Sequence, residues 1–142
     1  MEASIVLHNL SGKISSLSLQ SNKTEENSYF LSTIRRIKNL DFFYNFEDYE
    51  NVYKFLLDNK DLITVLESSI EEIRNIFGNS QVFLEIDNDP EEEFEELFIV
   101  IKSNFDANKV IELKEKFFYN WFVKIIDKVG NRLNFTVEPY EL

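Results

Sequence analysis

The densest run of chemically capable side chains is Glu85, Asp87, Asp89, Glu91, Glu92, Glu93, Glu95 and Glu96. Carboxylates converging from one loop can hold a hard divalent cation, which takes several oxygen ligands. The spacing Asp87-x-Asp89-x-Glu91 matches the opening of an EF-hand calcium loop. It then fails at the required glycine, where Glu92 sits, and at the closing glutamate, where Phe98 sits. Two other roles fit the same run: a solvated hairpin tip, and a docking surface for a basic patch on another protein. Carboxylate pairs of the glycosidase kind can be drawn almost anywhere among 26 acids, so they carry no signal without geometry.

The second candidate is aromatic. Phe42, Phe43, Tyr44, Phe46, Tyr49 and Tyr53 crowd into one short stretch. Large aromatics build cores, and they also anchor interfaces. Asp41, Glu47 and Asp48 beside them speak against a nucleic-acid stacking platform, because such platforms lie in basic grooves. The cluster therefore reads as core packing, or as a partner-binding groove or homodimer seam.

Most other chemistry is excluded by residue type. The absence of cysteine removes disulfides, thiolate metal sites and cysteine nucleophiles. His8 is the single histidine, so no multi-histidine metal site can form. It also lacks an identifiable nucleophile and orienting partner for catalysis. Gly12, Gly78 and Gly130 lie too far apart to write a phosphate-cradling loop. No cofactor is expected, and the chain reads as a non-enzyme.

Charge narrows the partners. The net charge is −11 over 142 residues. It is uneven: residues 1–40 hold five bases and three acids, whereas residues 41–142 hold ten bases and 23 acids. So negative a surface repels phosphate backbones and anionic lipid, and neither duplex nucleic acid nor a membrane is expected as a direct partner. Arg35, Arg36 and Lys38 form a small basic patch, too weak alone to reverse this. The longest clean apolar run, Leu97 to Ile101, is far too short to span a bilayer. The richness in Phe, Asn, Ile, Lys and Glu fits an AT-rich coding sequence, and with no export or membrane signal visible a cytoplasmic, prokaryotic protein is expected.

The elements that must position these residues follow from hydrophobic period. Residues 1–24 read as an N-terminal hairpin or flexible arm, with Ile5 and Leu7, then Ile14, Leu17 and Leu19, alternating about Asn9 to Gly12. Residues 20–27 read as a polar linker. A single domain over 25–142 follows. Ile34, Ile37 and Leu40 predict a helix that starts at Thr24, and a short helix fits 47–58. Leu62, Leu66, Ile70, Ile73 and Phe77 predict a stronger one, with Asn59 as its cap and Gly78 as its stop. The period then switches to two: Val82, Leu84 and Ile86 predict one strand, and Leu97, Ile99 and Ile101 a second that pairs with it antiparallel. Asn104 or Asp106 caps a helix over 107–126, whose apolar stripe is wide and includes Trp121, predicted to be buried against the sheet. Leu133, Phe135 and Val137 close the sheet through a crossover, right-handed by preference. The fold class is α+β: an α-β-β-α-β core with a small, mostly antiparallel sheet covered on one face by helices, plus the N-terminal hairpin or arm and one or two extra helices.

From Phe55 to Glu138 the chain resembles a set of small uncharacterised bacterial proteins of unassigned activity. The similar stretches are Phe55-Leu56-Leu57-Asp58-Asn59 into Leu62-Ile63, Leu84-Glu85-Ile86 through Asp89-Pro90-Glu91, Leu97 to Ile101, Phe117 with Trp121-Phe122, and Leu133 to Glu138. That set tends to carry an acidic pair in the aromatic helix, where Phe118 and Tyr119 stand here. The resemblance implies the fold and no activity.

The functional expectation is a small acidic cytoplasmic protein acting by non-catalytic protein–protein interaction: a binder, inhibitor, antitoxin-like or regulatory subunit. Its expected partner is a protein with a basic surface, such as a nucleic-acid-binding effector whose groove an acidic surface can fill by charge mimicry. The alternative is a carboxylate-based divalent-metal enzyme or metal sensor centred on residues 85–96.

Overall fold

A computed structural model describes residues 14–88, 91 and 93–140, with side chains from residue 25 onward. The chain divides after Arg36 into two compact units. The boundary falls within the first helix, α1 (Ile14–Leu40).

The first unit contains α1 as far as Arg36. Residues 25–32 are exposed all round, and the Thr33 hydroxyl donates to the Tyr29 carbonyl at 3.0 Å. Ile14, Leu17 and Leu19 are helical, so they do not form the second arm of a hairpin, and the 20–27 linker is not a break. No glycine or proline stands between Gly12 and Gly78 to interrupt the helix. The first half of the expected hairpin, with His8, lies outside the described residues.

The second unit is the α+β domain. After the end of α1 come β1 (Tyr44–Phe46), α2 (Tyr49–Asp58), α3 (Asp61–Phe77), β2 (Gln81–Asn88), β3 (Glu95–Ser103), α4 (Ala107–Phe117), α5 (Val123–Val129) and β4 (Leu133–Pro139). The sheet order is β1-β2-β3-β4. β2 and β3 form the expected antiparallel hairpin. Both outer pairings are parallel, so the sheet is mixed, and the expectation of a mostly antiparallel one is corrected in that detail. The reason is connectivity: each outer strand is joined to the hairpin through helices, which return the chain to the end where it began. β1 arises inside the aromatic stretch without a strand signal in the sequence, because three residues are too few to show alternation.

One face of the sheet makes the core. In register across the strands lie Tyr44, Val82, Ile101 and Val137, then Phe46, Leu84, Ile99 and Phe135, then Ile86, Leu97 and Leu133. Buried residues from all the helices of this unit join this face in one cluster, including Ile37, Leu56, Leu66, Ile73, Phe117 and Val129. Tyr44 is fully buried, and its hydroxyl donates to the Leu66 carbonyl at 2.7 Å. No buried side-chain polar atom lacks a partner among the described residues.

The helix ends explain themselves locally. α3 stops where Gly78 adopts φ 63° and ψ −133°. Asp106 caps α4, its carboxylate accepting from the Lys109 amide at 2.9 Å. Asn59 does not cap α3 with its side chain; its amide donates back to the Phe55 carbonyl and so finishes α2. Arg132, in the 3-10 turn before β4, grips Asp61 through two 2.8 Å bonds and Asn59 through a third at 3.2 Å. This guanidinium fixes the entry of β4 against the α2–α3 junction.

Between α4 and α5, residues Phe118–Phe122 form a π-helical turn. Its effect is visible in the buried line Leu113, Phe117, Phe122, Ile125, Val129, whose steps are four, five, three and four residues. The five-residue step is the π turn, which adds one residue and shifts the phase. The stripe that looks too wide for one helix is a single buried face with a phase shift inside it. Trp121, one turn after Phe117 by α-helical counting, is therefore displaced to the flank. It is only partly buried, and it packs against the core with its indole bonded to Ser69 of α3, not buried against the sheet as expected.

Candidate functional site

Strand alternation gives the sheet a second face. Its residues are Asn45, Phe83, Val100 and Thr136 in one row and Glu85, Phe98 and Asn134 in the next, flanked by Lys102 and Glu138 at one end and Asp87 and Glu96 at the other. None of these residues belongs to the core cluster that the helices of the second unit join. Val100 is 3% exposed yet stands outside the helix-backed core. Phe83, Thr136 and Phe98 surround it and are only partly buried. The second face is thus a shallow apolar centre with an acidic rim.

The rim is electrostatically crowded. Burial pushes the Glu85 carboxyl up from its ordinary range, and the nearby charges of Glu138 and Glu47 push it the same way, with Lys102 opposing. Lys102 is the cation of this face. It bonds Glu138 at 2.8 Å and lies 5.7 Å from the centre of the Phe83 ring, a cation–π approach. The arrangement can hold a cation by aromatic and carboxylate groups together. It offers no aligned nucleophile and base.

The sequence-predicted acids divide. Asp87 and Glu96 face each other across β2 and β3 on this second face. Glu95 points to the other side and lines a groove of about 390 Å³ with Asn51, Lys54 and Asp58. Glu91 and Glu93 lie exposed in the connection. Asp89 and Glu92 lie outside the described residues. No group of three or more metal-ligating side chains occurs among the described residues.

The aromatic cluster divides too. Tyr44 belongs to the core. Phe43 lies edge-on to Tyr44, with the Arg74 guanidinium 4.5 Å from its ring centre. Phe46, Tyr49 and Tyr53 stack in succession at 4.9 and 6.1 Å. Phe42 is 89% exposed and joins none of them. The cluster is therefore not one groove. Phe83 and Phe98, which centre the second face, were not singled out from the sequence; the signal for them was that β3 is apolar on both its sides.

No helix among the described residues is long and apolar enough to cross a membrane. No family model, curated protein or solved structure matches this chain.

Proposed function

We propose that this chain is a non-catalytic protein-binding subunit of the cytoplasm, and that its second sheet face recognises a basic surface on another protein. The observation that carries the reading is the pair of half-buried rings Phe83 and Phe98 about buried Val100, ringed by Glu85, Asp87, Glu96 and Glu138. Apolar rings supply area for contact, and the acids select and steer a cationic partner. A basic groove that normally holds nucleic acid fits this description, which makes an inhibitor or regulator of such an effector the preferred case.

The test is binding by the wild-type chain and the variant Asp87→Lys/Glu96→Lys, with the partner captured by cross-linking in native extract and then purified. The variant is expected to bind more weakly, with a flatter dependence on salt, because its rim no longer attracts at long range. A partner held with unchanged affinity and salt slope overturns the reading.

A further inference from the structure

The margin of the sheet at β4 lies beside a groove that one more strand would fit. Among the described residues β4 pairs with β3 alone. The Tyr140 amide donates to the Ser103 carbonyl at 3.0 Å, which fixes the alternation along β4. Even-numbered residues direct their backbone groups to β3, so Leu133, Phe135, Val137 and Pro139 direct theirs outward. The Phe135 amide donates to Asn134 Oδ1 at 2.8 Å, and Pro139 has no N–H. Such devices hold an edge back from open-ended ladder growth. The carbonyls of both residues still face outward, and Val137 directs both an N–H and a carbonyl that way.

The side chains of Phe135 and Val137 pack toward the helices, and α4 runs beside them in the opposite direction. The Phe117 ring lies edge-on to Phe135 at 4.8 Å and sets the level of helix against strand. One helical turn back, about 5–6 Å, is Lys114; two strand residues on, about 6.7 Å, is Val137. The open surface follows these levels. A groove of about 350 Å³ joins Phe105, Val110 and Ile111 to Val137 and Pro139. Another, of about 260 Å³, joins Phe118 and Tyr119 to Phe135. Lys114 lines both and so stands between them. Phe105, Ile111 and Tyr119 are exposed, so this apolar surface is not used by the core.

We propose that this groove receives an extended peptide of another protein, added as a strand to β4, with the pattern apolar-x-acid-x-apolar. Three features select that occupant. The outward N–H and carbonyl of Val137 are met by a main chain, as when a strand joins a sheet edge. The levels at Pro139, Val137 and Phe135 repeat at the two-residue period of a strand, so alternate side chains of one peptide meet all three. The middle level is cationic: Lys114 has no ion pair among the described residues, so the side chain opposite Val137 is a carboxylate. Glu115 lines the groove at Phe118 and disfavours a second acid there. The pattern is the same in both directions, so either strand polarity satisfies it. This groove lies on the helix side of the sheet, away from the acidic second face, and the two take partners of opposite charge.

Fluorescence anisotropy of the full chain with the end-blocked, labelled peptide Ser-Ile-Ser-Glu-Ser-Ile-Ser tests this. Saturable binding is expected below about 1 mM. Moving the acid one place, as Ser-Ile-Glu-Ser-Ser-Ile-Ser, turns it to the other side of the strand and should weaken binding about fivefold or more. Lys114→Glu should do the same with unchanged circular dichroism, and should bind better the peptide that carries Lys in place of Glu. N-methylation reads the backbone. Placed singly on the Glu and on the Ser after it, it should abolish binding at one position and spare it at the other, because only alternate amides face β4. No saturable binding, equal binding of the moved-acid peptide, a Lys114→Glu chain that binds both peptides as wild type does, or equal tolerance of the two methyl groups overturns the proposal. So does self-association, followed by sedimentation, that displaces the peptide, since a second copy is then the occupant.

Discussion

The indole N–H of Trp121 donates to the Ser69 hydroxyl at 2.8 Å, joining the π turn to the middle of α3 across 52 residues of sequence. Ser69 is fully buried, and its hydroxyl donates in turn to the Val65 carbonyl at 2.8 Å. The pair anchors a turn that ordinary helical spacing would not place there. Trp121→Phe keeps the packing and removes the bond, for an expected loss of about 1 kcal/mol. Trp121→Ala should lose about 3 kcal/mol, the low end for a large aromatic, because the ring is only partly buried. Urea denaturation of the two variants beside Ser69→Ala measures this; equal losses for Phe and Ala would show that the bond, and not the ring, matters.

Glu85 gives the second face a pH signature. Its carboxyl is held above the ordinary range by burial first and by Glu138 and Glu47 next. The folded state therefore keeps the proton to higher pH than the unfolded chain does. Stability falls as pH rises from the ordinary carboxylate value through the raised one. Glu85→Gln is neutral throughout, so its melting temperature should exceed that of wild type at neutral pH. The gain should vanish near about pH 4, where the wild-type group is itself largely protonated.

The Asp61–Arg132 clamp has the opposite sign. The Arg132 hydrogen bonds hold the Asp61 carboxyl below its usual range. Its contribution is present above the ordinary aspartate value and is lost as pH falls through the lowered one. The pair is substantially exposed, so Asp61→Asn should cost less than about 1 kcal/mol at neutral pH. Thermal melts should show the difference from wild type shrinking as the solution is acidified.

Gly78 should resist every substitution. Its φ of 63° with ψ −133° is the mirror image of the extended region, which a side chain strains. A Cβ there would meet nothing within 4 Å, so the cost is conformational and not steric crowding with neighbours. Gly78→Ala and Gly78→Asn should each lose roughly 1–3 kcal/mol. Asparagine offers no relief, because its tolerance is for the left-handed helical region. A stable Asn variant in chemical denaturation would contradict this account.

What the sequence shows most plainly is what its local period encodes. Leu62, Leu66, Ile73 and Phe77 followed by Gly78 mark α3, and the switch to period two marks β2 and β3. β1 escapes because three extended residues carry no period, and its parallel pairing to β2 is a tertiary choice. The π turn escapes because a single added residue is invisible until the buried line is known. In the candidate site, Asp87 and Glu96 were legible as acids, but their shared face depended on register. Phe83 and Phe98 read as ordinary strand residues until the register set them on the face that stands outside the core cluster.

The mixed sheet also orders events in time. β2 and β3 are joined by a short connection, so their ladder closes at little loop entropy. β1 reaches β2 only after α2 and α3 intervene, and β4 reaches β3 only after α4, the π turn and α5. Long-range pairings of this kind close late. The sheet should thus grow from its middle outward and fray from its margins inward. Amides of Phe83 and Val100, paired across the hairpin, should be among the slowest to exchange, and β1 should open before the central hairpin does.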